Sequence, residues 1–273
     1  MVKNKQKIKN GISAVYLLLI LLLIYAPILL LVVTSFSSAR IIGEEGSFSL
    51  VWYAELFQSE RVMGILLNTV VLALVAAALA TVLGTAGAIG IFYSKKKVST
   101  VLQGANQIPV VNAEIVTALS LAILFAAVSL QRTYFSLLVG HLVLCTPFVI
   151  ISVLPKLKQM DNHLYEAALD LGASPTQALF KVVIPQIASG ILSGFMLSVT
   201  LSLDDYIVTS FTKPATFDTI STYVYNAVKN ESKSDLPLIR ALSAIVFLVM
   251  IILIVVAIVS SSNKNKEDRN KNA

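Results

Sequence analysis

Residues 161–185 read DNHLYEAALDLGASPTQALFKVVIP, and this polar stretch between two apolar runs decides the fold of the chain. A left-handed turn at Gly172 can end a first short helix. Ser174, Pro175 and Gln177 then supply the N-cap, the first-turn proline and the capping-box partner of a second helix. The sequence therefore predicts a helix, a tight turn and another helix in place of a flexible connector.

The first of these predicted helices has a low apolar face. Ala167, Ala168 and Leu171 lie on it beside Glu166 and Asp170, and a face of this shape can dock into a groove on another protein. An amphipathic helix pair can instead lie flat on a membrane surface. The residues alone leave both interpretations open.

The composition around this loop is that of a membrane protein. Of 273 residues, 56% are hydrophobic and only 13% are charged, and the mean hydropathy is +0.82. A soluble protein carries about 25% charged residues. We predict an all-α polytopic membrane protein with one transmembrane domain, 11–262, between short tails at 1–10 and 263–273. Six apolar stretches reach the roughly 20 helical residues that a hydrocarbon core requires, and we predict six transmembrane helices at about 11–36, 63–92, 105–128, 135–155, 187–205 and 241–262.

The positive charges predict the orientation of the chain. Most of its 21 Lys and Arg residues fall in the amino-terminal tail, residues 95–97, the loop at 156–186 and the carboxyl-terminal tail. Because Lys and Arg favour the cytoplasmic side, we predict that both termini and the 156–186 loop are cytoplasmic. The first apolar run, 15–33, exceeds the length of a signal-peptide core and no cleavage site follows it, so we interpret it as an uncleaved span. The net charge of +6 is thus a topology signal and does not indicate a nucleic-acid partner.

An outer segment, 37–62, contains aromatic and apolar residues at helical spacing: Trp52, Tyr53, Leu56 and Phe57. Trp and Tyr favour the boundary between membrane and water. We therefore predict a short helix that lies in this boundary, with an anchoring role as the first interpretation and contact with a substrate as the alternative.

Acidic residues in and beside the apolar spans are candidates for a substrate pathway. Glu114 lies about ten residues into the third predicted span, where a charged side chain costs about 2.5 to 3.5 kcal/mol and should face protein or water. Asp204 and Asp205 end the fifth span, near its outer mouth. Acids there suit a cationic solute. The alternatives are a hydrogen-bonded packing residue at Glu114 and ordinary interfacial solvation of the Asp pair.

Small residues repeat at every fourth position along the fifth span, at Gly190, Gly194, Ser198 and Ser202. Such a stripe lets helices approach closely in lipid, so helix packing is the first interpretation. The stripe changes from Gly to Ser and leads toward the acids. The alternative is therefore that this face of the helix lines a water-filled substrate pathway. The pathway hypothesis comprises Glu114, Ser198, Ser202, Asp204, Asp205 and Tyr206.

Motifs of catalysis and of metal binding are absent from the sequence. There is no Gly-x-x-x-x-Gly-Lys-Ser/Thr phosphate loop, no His-Glu-x-x-His and no Gly-x-Ser-x-Gly. His141 and His163 lie near no Cys or acid at ligand spacing, so we interpret both as structural and predict no metal site. Cys145 is the only cysteine, so no intrachain disulfide can form. We predict that the chain is not an enzyme and holds no cofactor.

The 161–185 stretch resembles the EAA loop of ABC-importer permeases. The resemblance is carried by Glu166-Ala167-Ala168, Gly172 and the ending Val182-Val183-Ile184-Pro185, in which Val182 and Ile184 replace the Ile and Leu of the family pattern. In that family the loop forms coupling helices that insert into a cleft of a cytoplasmic ATPase. The resemblance implies a type I ABC importer permease fold, and it implies ATPase docking by Glu166, Ala167, Ala168, Gly172, Ala173 and Pro185.

Further segments are similar to spermidine/putrescine importer permeases of the C type. They are Asn68-Thr69, 109–120, Thr146-Pro147-Phe148-Val149 and 201–211. This resemblance implies a polyamine substrate and a bacterial cell membrane. It also implies three partners, which are a B-type permease, an ABC ATPase dimer that holds ATP and Mg, and an extracytoplasmic solute-binding protein.

Other functions stay open at this point. The same fold serves importers of iron, phosphonate-type and other small solutes. A secondary transporter would use Glu114, Asp204 and Asp205 as proton or sodium sites, and a nontransporting membrane scaffold is a more distant alternative. The EAA loop favours the importer, because a secondary carrier has no ATPase to dock.

Overall fold

The structure, a computed structural model, describes residues 2–40, 44–161, 163–229, 236–249, 251–252 and 255. Within these ranges the chain is almost entirely helical, which confirms the all-α prediction. The helices are α1 Val2–Ser35, α2 Val51–Gln58, α3 Glu60–Tyr93, α4 Lys96–Val111, α5 Glu114–Ala127, α6 Tyr134–Gln159, α7 His163–Asp170, α8 Pro175–Gln186, α9 Ala188–Asp204, α10 Ile207–Thr212, α11 Ile220–Lys229 and α12 Leu236–Val249.

Several helices are long and apolar enough to cross a membrane. Three meet this criterion alone: α3, α6 and the part of α1 from Val15 to Ser35. Two bent pairs, α4 with α5 and α8 with α9, meet it together, so the described residues supply up to five spans. α12 is a shorter apolar helix. Most of the remainder of the predicted sixth span, and the predicted tail at 263–273, lie outside the described residues.

The third predicted span, 105–128, is not one continuous helix. α4 ends at Val111, α5 begins at Glu114, and the two axes differ by 103°. Asn112 and Ala113 between them are extended, with ψ of 147° and 131°. Glu114 is therefore exposed in the first turn of a helix, where the helix dipole favours a carboxylate. The third predicted span is therefore broken just before Glu114, and the position of Glu114 near the middle of the membrane stays a prediction.

The chain divides into two compact units. The first comprises Met1–Met63 and Ala227–Ile252, and the second comprises Gly64–Asn226 and Leu253–Ala273. Each unit has its own buried residues, and each is described here by itself.

In the first unit, aromatic contacts organise the chain around α2. The ring of Phe36 stacks on those of Phe48 and Tyr53, at centroid distances of 5.9 Å and 5.2 Å. Trp52 is buried, and its Nε1 donates to the Ser37 carbonyl oxygen at 2.9 Å. A short helix therefore forms in the predicted segment, with its tryptophan packed within the protein, and its place at the membrane boundary stays a prediction.

In the second unit, α6 and α9 pack along each other and form the centre of the core. Val149 of α6 fits between two glycines. A Cβ on Gly84 of α3 would lie 2.5 Å from the Val149 Cβ, and a Cβ on Gly194 of α9 would lie 3.2 Å from the Val149 Cα. The small-residue stripe of the fifth span therefore faces protein, which supports the packing interpretation.

Candidate functional site

The first helix of the 156–186 loop ends in the predicted left-handed turn. α7 is followed by Gly172, whose φ is +85°. The Gly172 amide donates to the Leu169 carbonyl at 2.9 Å, and the Ala173 amide donates to the Ala168 carbonyl at 3.0 Å. This pair of bonds is the Schellman motif, which satisfies the last carbonyl groups of a helix.

The second helix of the loop begins with the predicted capping box. The Gln177 amide donates to Ser174 Oγ at 3.3 Å, and the Ser174 amide donates to Gln177 Oε1 at 3.1 Å. Pro175 is the first residue of the helix. α8 continues as a π-helix over Leu179–Val183 and meets α9 at a bend of 69° around Ile187. The order helix, turn, helix is confirmed.

The residues that the resemblance assigns to docking lie mostly on the surface of this loop. Glu166, Ala167, Gly172 and Pro185 are exposed, and Ala168 and Ala173 are half-buried. Beside them Leu171 is 89% exposed and Phe180 is 67% exposed. On the opposite side Val183 is buried in the core of the second unit, and Tyr165 packs on Tyr93 of α3 at a ring-centroid distance of 5.6 Å. The loop is thus an ordered surface with exposed apolar side chains.

A short turn between α9 and α10, residues 204–206, places two neighbouring acids in different surroundings, and we call it the acidic turn. Asp204 is exposed, whereas Asp205 is buried. Asp205 Oδ1 accepts from the Val208 amide at 3.1 Å. Its Oδ2 accepts from the amide and from the hydroxyl of Thr209, both at 2.7 Å. Asp205 therefore satisfies free amides at the start of α10, as a capping residue does.

A buried histidine joins the acidic turn to α6. His141 Nδ1 lies 2.8 Å from Ser202 Oγ, and its Nε2 lies 2.9 Å from Thr209 Oγ1 and 3.8 Å from Asp205 Oδ2. Sequence reasoning missed this network, because its partners lie 61 and 68 residues along the chain from the histidine. One signal for it is present in the sequence. Ser202, Asp205 and Thr209 are polar residues separated by three and then four positions, the spacing that places side chains on one side of a helical segment.

The six predicted pathway residues divide into a surface group and a buried group. Glu114 and Asp204 are exposed and Tyr206 is half-buried, whereas Ser198, Ser202 and Asp205 are buried. α10 packs against both α5 and α6, and Glu114 lies within range of Coulomb repulsion from Asp205 and Asp204. Tyr206 packs on Tyr225 at a ring-centroid distance of 4.1 Å. The structure thus brings the three acids into one region, with one of them inside the protein.

Metal binding has no site in the described part of the chain. Among those residues, no group of three or more His, Cys, Asp and Glu side chains is placed to hold a metal ion. His163 lies in the exposed 156–186 loop, with its Nδ1 3.7 Å from Glu166.

Comparison with known proteins gives relatives along most of the chain. The chain is 32% identical to the spermidine/putrescine transport system permease protein PotC of Haemophilus influenzae over 226 residues, which cover 83% of this chain and 87% of that protein. It is 30% identical to PotC of Escherichia coli over 227 residues, covering 83% and 86%. It is also 30% identical to the putrescine transport system permease protein PotI of Escherichia coli over 250 residues, covering 89% and 88%.

Solved structures share the fold at low sequence identity. A chain of a bacterial alginate ABC transporter, in complex with a periplasmic protein bound to alginate pentasaccharide, matches with a TM-score of 0.67 and 18% identity over 93% of this chain and 94% of that chain. A chain of an amino acid ABC transporter matches with a TM-score of 0.57 and 18% identity over 78% and 96%. The helical arrangement is therefore that of chains found in ABC transporters.

One family description covers these observations. The sequence profile described as "binding-protein-dependent transport system inner membrane component" matches residues 80–265, a range that contains the 156–186 loop and the acidic turn. Together with the relatives at about 30% identity, this match shows that the chain belongs to the family of inner-membrane components of binding-protein-dependent transport systems.

Proposed function

We propose that this chain is the permease subunit of an ATP-driven, binding-protein-dependent importer, and that its substrate is a polyamine. The 156–186 loop carries the proposal. It presents Leu171 and Ala167 on an exposed face, while the Schellman turn at Gly172 and the capping box at Ser174 hold that face in shape. Named polyamine permeases are similar to the chain over most of its length.

In this proposal the chain crosses the bacterial cytoplasmic membrane six times as one transmembrane domain, 11–262, with both termini in the cytoplasm. We assign three single helices and two bent pairs, each taken as one span, to five of these crossings, and the apolar helix that begins at Leu236 to the sixth; their length and apolar composition support this assignment. The concentration of Lys and Arg at the tails and at 156–186 sets the orientation. The 156–186 loop then faces the cytoplasm, and the acidic turn faces outward.

The proposed partner of the loop is an ABC ATPase dimer, which holds ATP and Mg. The small side chains of Ala167 and Ala168 let α7 enter a groove, and the exposed Leu171 supplies an apolar contact. Glu166 adds a charge at the rim of that contact, and Ala173 and Pro185 belong to the same surface. A second, B-type permease and an extracytoplasmic solute-binding protein complete the complex.

The polyamine assignment rests on the acidic region. Polyamines are flexible chains of ammonium groups, and clustered carboxylates raise the local concentration of such cations. Glu114 and Asp204 are exposed there, and the rings of Tyr206 and Tyr225 add an aromatic surface that can face an ammonium group. Asp205, Ser202 and Ser198 contribute from the layer behind this surface.

Copurification with the ATPase tests the importer assignment. We expect Glu166→Lys and Leu171→Asp to abolish recovery of the ATPase with the permease, because the first reverses a charge at the rim of the docking face and the second places a charge within it. Glu55→Lys is the matched control, since Glu55 is an exposed acid of α2 outside the loop. Solute uptake that is driven by an ion gradient and needs no ATPase would contradict the importer and support the secondary transporter.

Ligand binding by the partner solute-binding protein tests the substrate. We expect calorimetry to detect binding of spermidine or putrescine and no binding of iron, sulfate or phosphonates. Selective binding of one of those other solutes would assign a different substrate and leave the importer assignment in place.

A further inference from the structure

His141, Ser202, Thr209 and Asp205 form a buried line of polar side chains in the second unit. All four are at most 6% exposed, and the line joins α6, α9, α10 and the acidic turn. Successive contacts measure 2.8 Å from Ser202 Oγ to His141 Nδ1, 2.9 Å from Nε2 to Thr209 Oγ1 and 2.7 Å from Oγ1 to Asp205 Oδ2. Buried polar groups are costly unless they are bonded, so each contact restricts its neighbours.

The chemistry of these groups gives the line one direction. A carboxylate only accepts hydrogen bonds, so the single hydroxyl proton of Thr209 is donated to Asp205. The Thr209 oxygen therefore accepts the Nε2 proton of His141. A neutral imidazole with its proton on Nε2 has an acceptor at Nδ1, and Ser202 Oγ donates to it. The order of donation is Ser202 to His141, His141 to Thr209, and Thr209 to Asp205.

The end of this line is the acidic turn. Asp205 lies between the exposed Asp204 and the aromatic Tyr206. Its Oδ1 accepts from the Val208 amide, and its Oδ2 accepts from both the amide and the hydroxyl of Thr209. These amides belong to α10 itself. The histidine contact joins Thr209 directly to α6, beside the bond that Ser136 Oγ of α6 donates to the Thr212 carbonyl oxygen at 2.9 Å.

We propose that His141 is a positioning residue for import, which acts through Thr209 to hold the Asp205 carboxylate and thereby sets where the acidic turn presents its charges to a cationic substrate. The proposal rests on the proposed polyamine function. The essential feature is the hydrogen-bond donor at the Nε2 position, and the Nδ1 contact with Ser202 serves to keep the proton there.

Substitutions that keep or remove this donor provide the test. The amide of Gln reaches the Nε2 position and can donate to Thr209, whereas the shorter amide of Asn reaches only the Nδ1 position. Leu removes both contacts at similar volume. The matched control is Cys145→Ala, one turn further along α6, where the buried Sγ lies 3.6 Å from the Ser198 carbonyl oxygen and outside the line.

The measurement is uptake of spermidine and putrescine into vesicles that hold the complete transporter, at saturating binding protein. We expect His141→Leu and His141→Asn to lower spermidine uptake about tenfold, the scale of one lost bond in a charged network. We expect His141→Gln to retain uptake within about threefold and Cys145→Ala to leave it unchanged. The ratio of spermidine to putrescine uptake should fall in the Leu and Asn variants, because spermidine carries more ammonium groups and depends more on placed carboxylates.

Each other outcome overturns the proposal. Equal loss in the Gln, Asn and Leu variants, an unchanged ratio of spermidine to putrescine, or failure of all three variants to assemble would assign His141 a packing role. Absence of polyamine uptake by the wild-type complex would overturn the proposed substrate first, before any variant is compared.

Discussion

At the scale of single residues, the acidic turn shows how neighbouring carboxylates take different roles. Asp205 follows the last residue of α9 and is buried with its Oδ2 3.8 Å from His141 Nε2, whereas Asp204 is exposed. Asp205 accepts three hydrogen bonds from Val208 and Thr209, whereas Asp204 is open to solvent. One acid caps the turn, and the other is exposed at its surface.

Neutral variants of the two acids should therefore behave differently. We expect Asp204→Asn to lower polyamine uptake while the complex assembles normally. Asp205→Asn should lower the yield and the thermal midpoint of the purified permease, because an amide NH2 group replaces an acceptor beside the donors of Thr209, at a cost of about 1–3 kcal/mol. Equal thermal midpoints for the two variants would contradict this distinction.

The left-handed backbone of Gly172 leads to a second residue-scale prediction. A Cβ there would meet no atom within 4 Å, but φ is +85°, and an L-residue in this region costs about 1–2 kcal/mol. Gly172→Ala should lower recovery of the ATPase partner through strain alone. Gly104→Ala in α4 is the control, since that glycine is helical and its Cβ would also be free. Similar losses of ATPase recovery in both variants would contradict a specific role of the left-handed turn in docking.

At the scale of elements, helix caps and turns that depend on nearby residues are easier to predict from the sequence than helix breaks that depend on distant packing. The capping box at Ser174 and the turn at Gly172 were predictable, because all their partners lie within six residues. The 103° break before Glu114 was not predicted, since neither Asn112 nor Ala113 is a glycine or a proline and the nearest proline, Pro109, lies within α4. A break of this kind is set by what the flanking helices pack against, and α5 packs against α10.

Packing of α3 against α6 gives the element-scale prediction. Since a Cβ on Gly84 would lie 2.5 Å from the Val149 Cβ, Gly84→Ala should destabilise the permease by about 1–3 kcal/mol through overpacking. Gly90→Ala, six residues further along the same helix, is the matched control because nothing lies within 4 Å of its Cβ. Thermal unfolding in detergent measures both. Adding Val149→Ala to Gly84→Ala should restore part of the loss, and no restoration would contradict the assigned contact.

At the scale of the whole molecule, the composition was sufficient to predict the class of protein, but it could not predict the buried network around His141. An apolar content of 56% with 13% charge predicted a helical membrane protein, and the 156–186 loop pointed to the transport family that the sequence profile confirms. The six-span arrangement stays a prediction. The network of His141 could not be predicted, because it forms only when α6, α9 and α10 come together.

The orientation of the chain can be tested with single cysteines, because Cys145 is the only native one and is fully buried. Phe48→Cys lies on the proposed outer side, at a position that is 79% exposed, and Lys97→Cys lies on the proposed cytoplasmic side. A membrane-impermeant maleimide should label the first in spheroplasts and the second only in inverted vesicles. Labelling of both from the same side would contradict the proposed topology.

The 69° bend at Ile187 gives the proposed coupling loop, 156–186, a direction different from that of α9. Ile187 and Val183 are fully buried in one cluster with residues of α6, so this end of α8 is packed into the core of the second unit. In the proposed importer, a displacement of α7 by the ATPase would be redirected through this bend along the axis of α9. The motion of the ATPase and the motion at the acidic turn would then not need to be parallel.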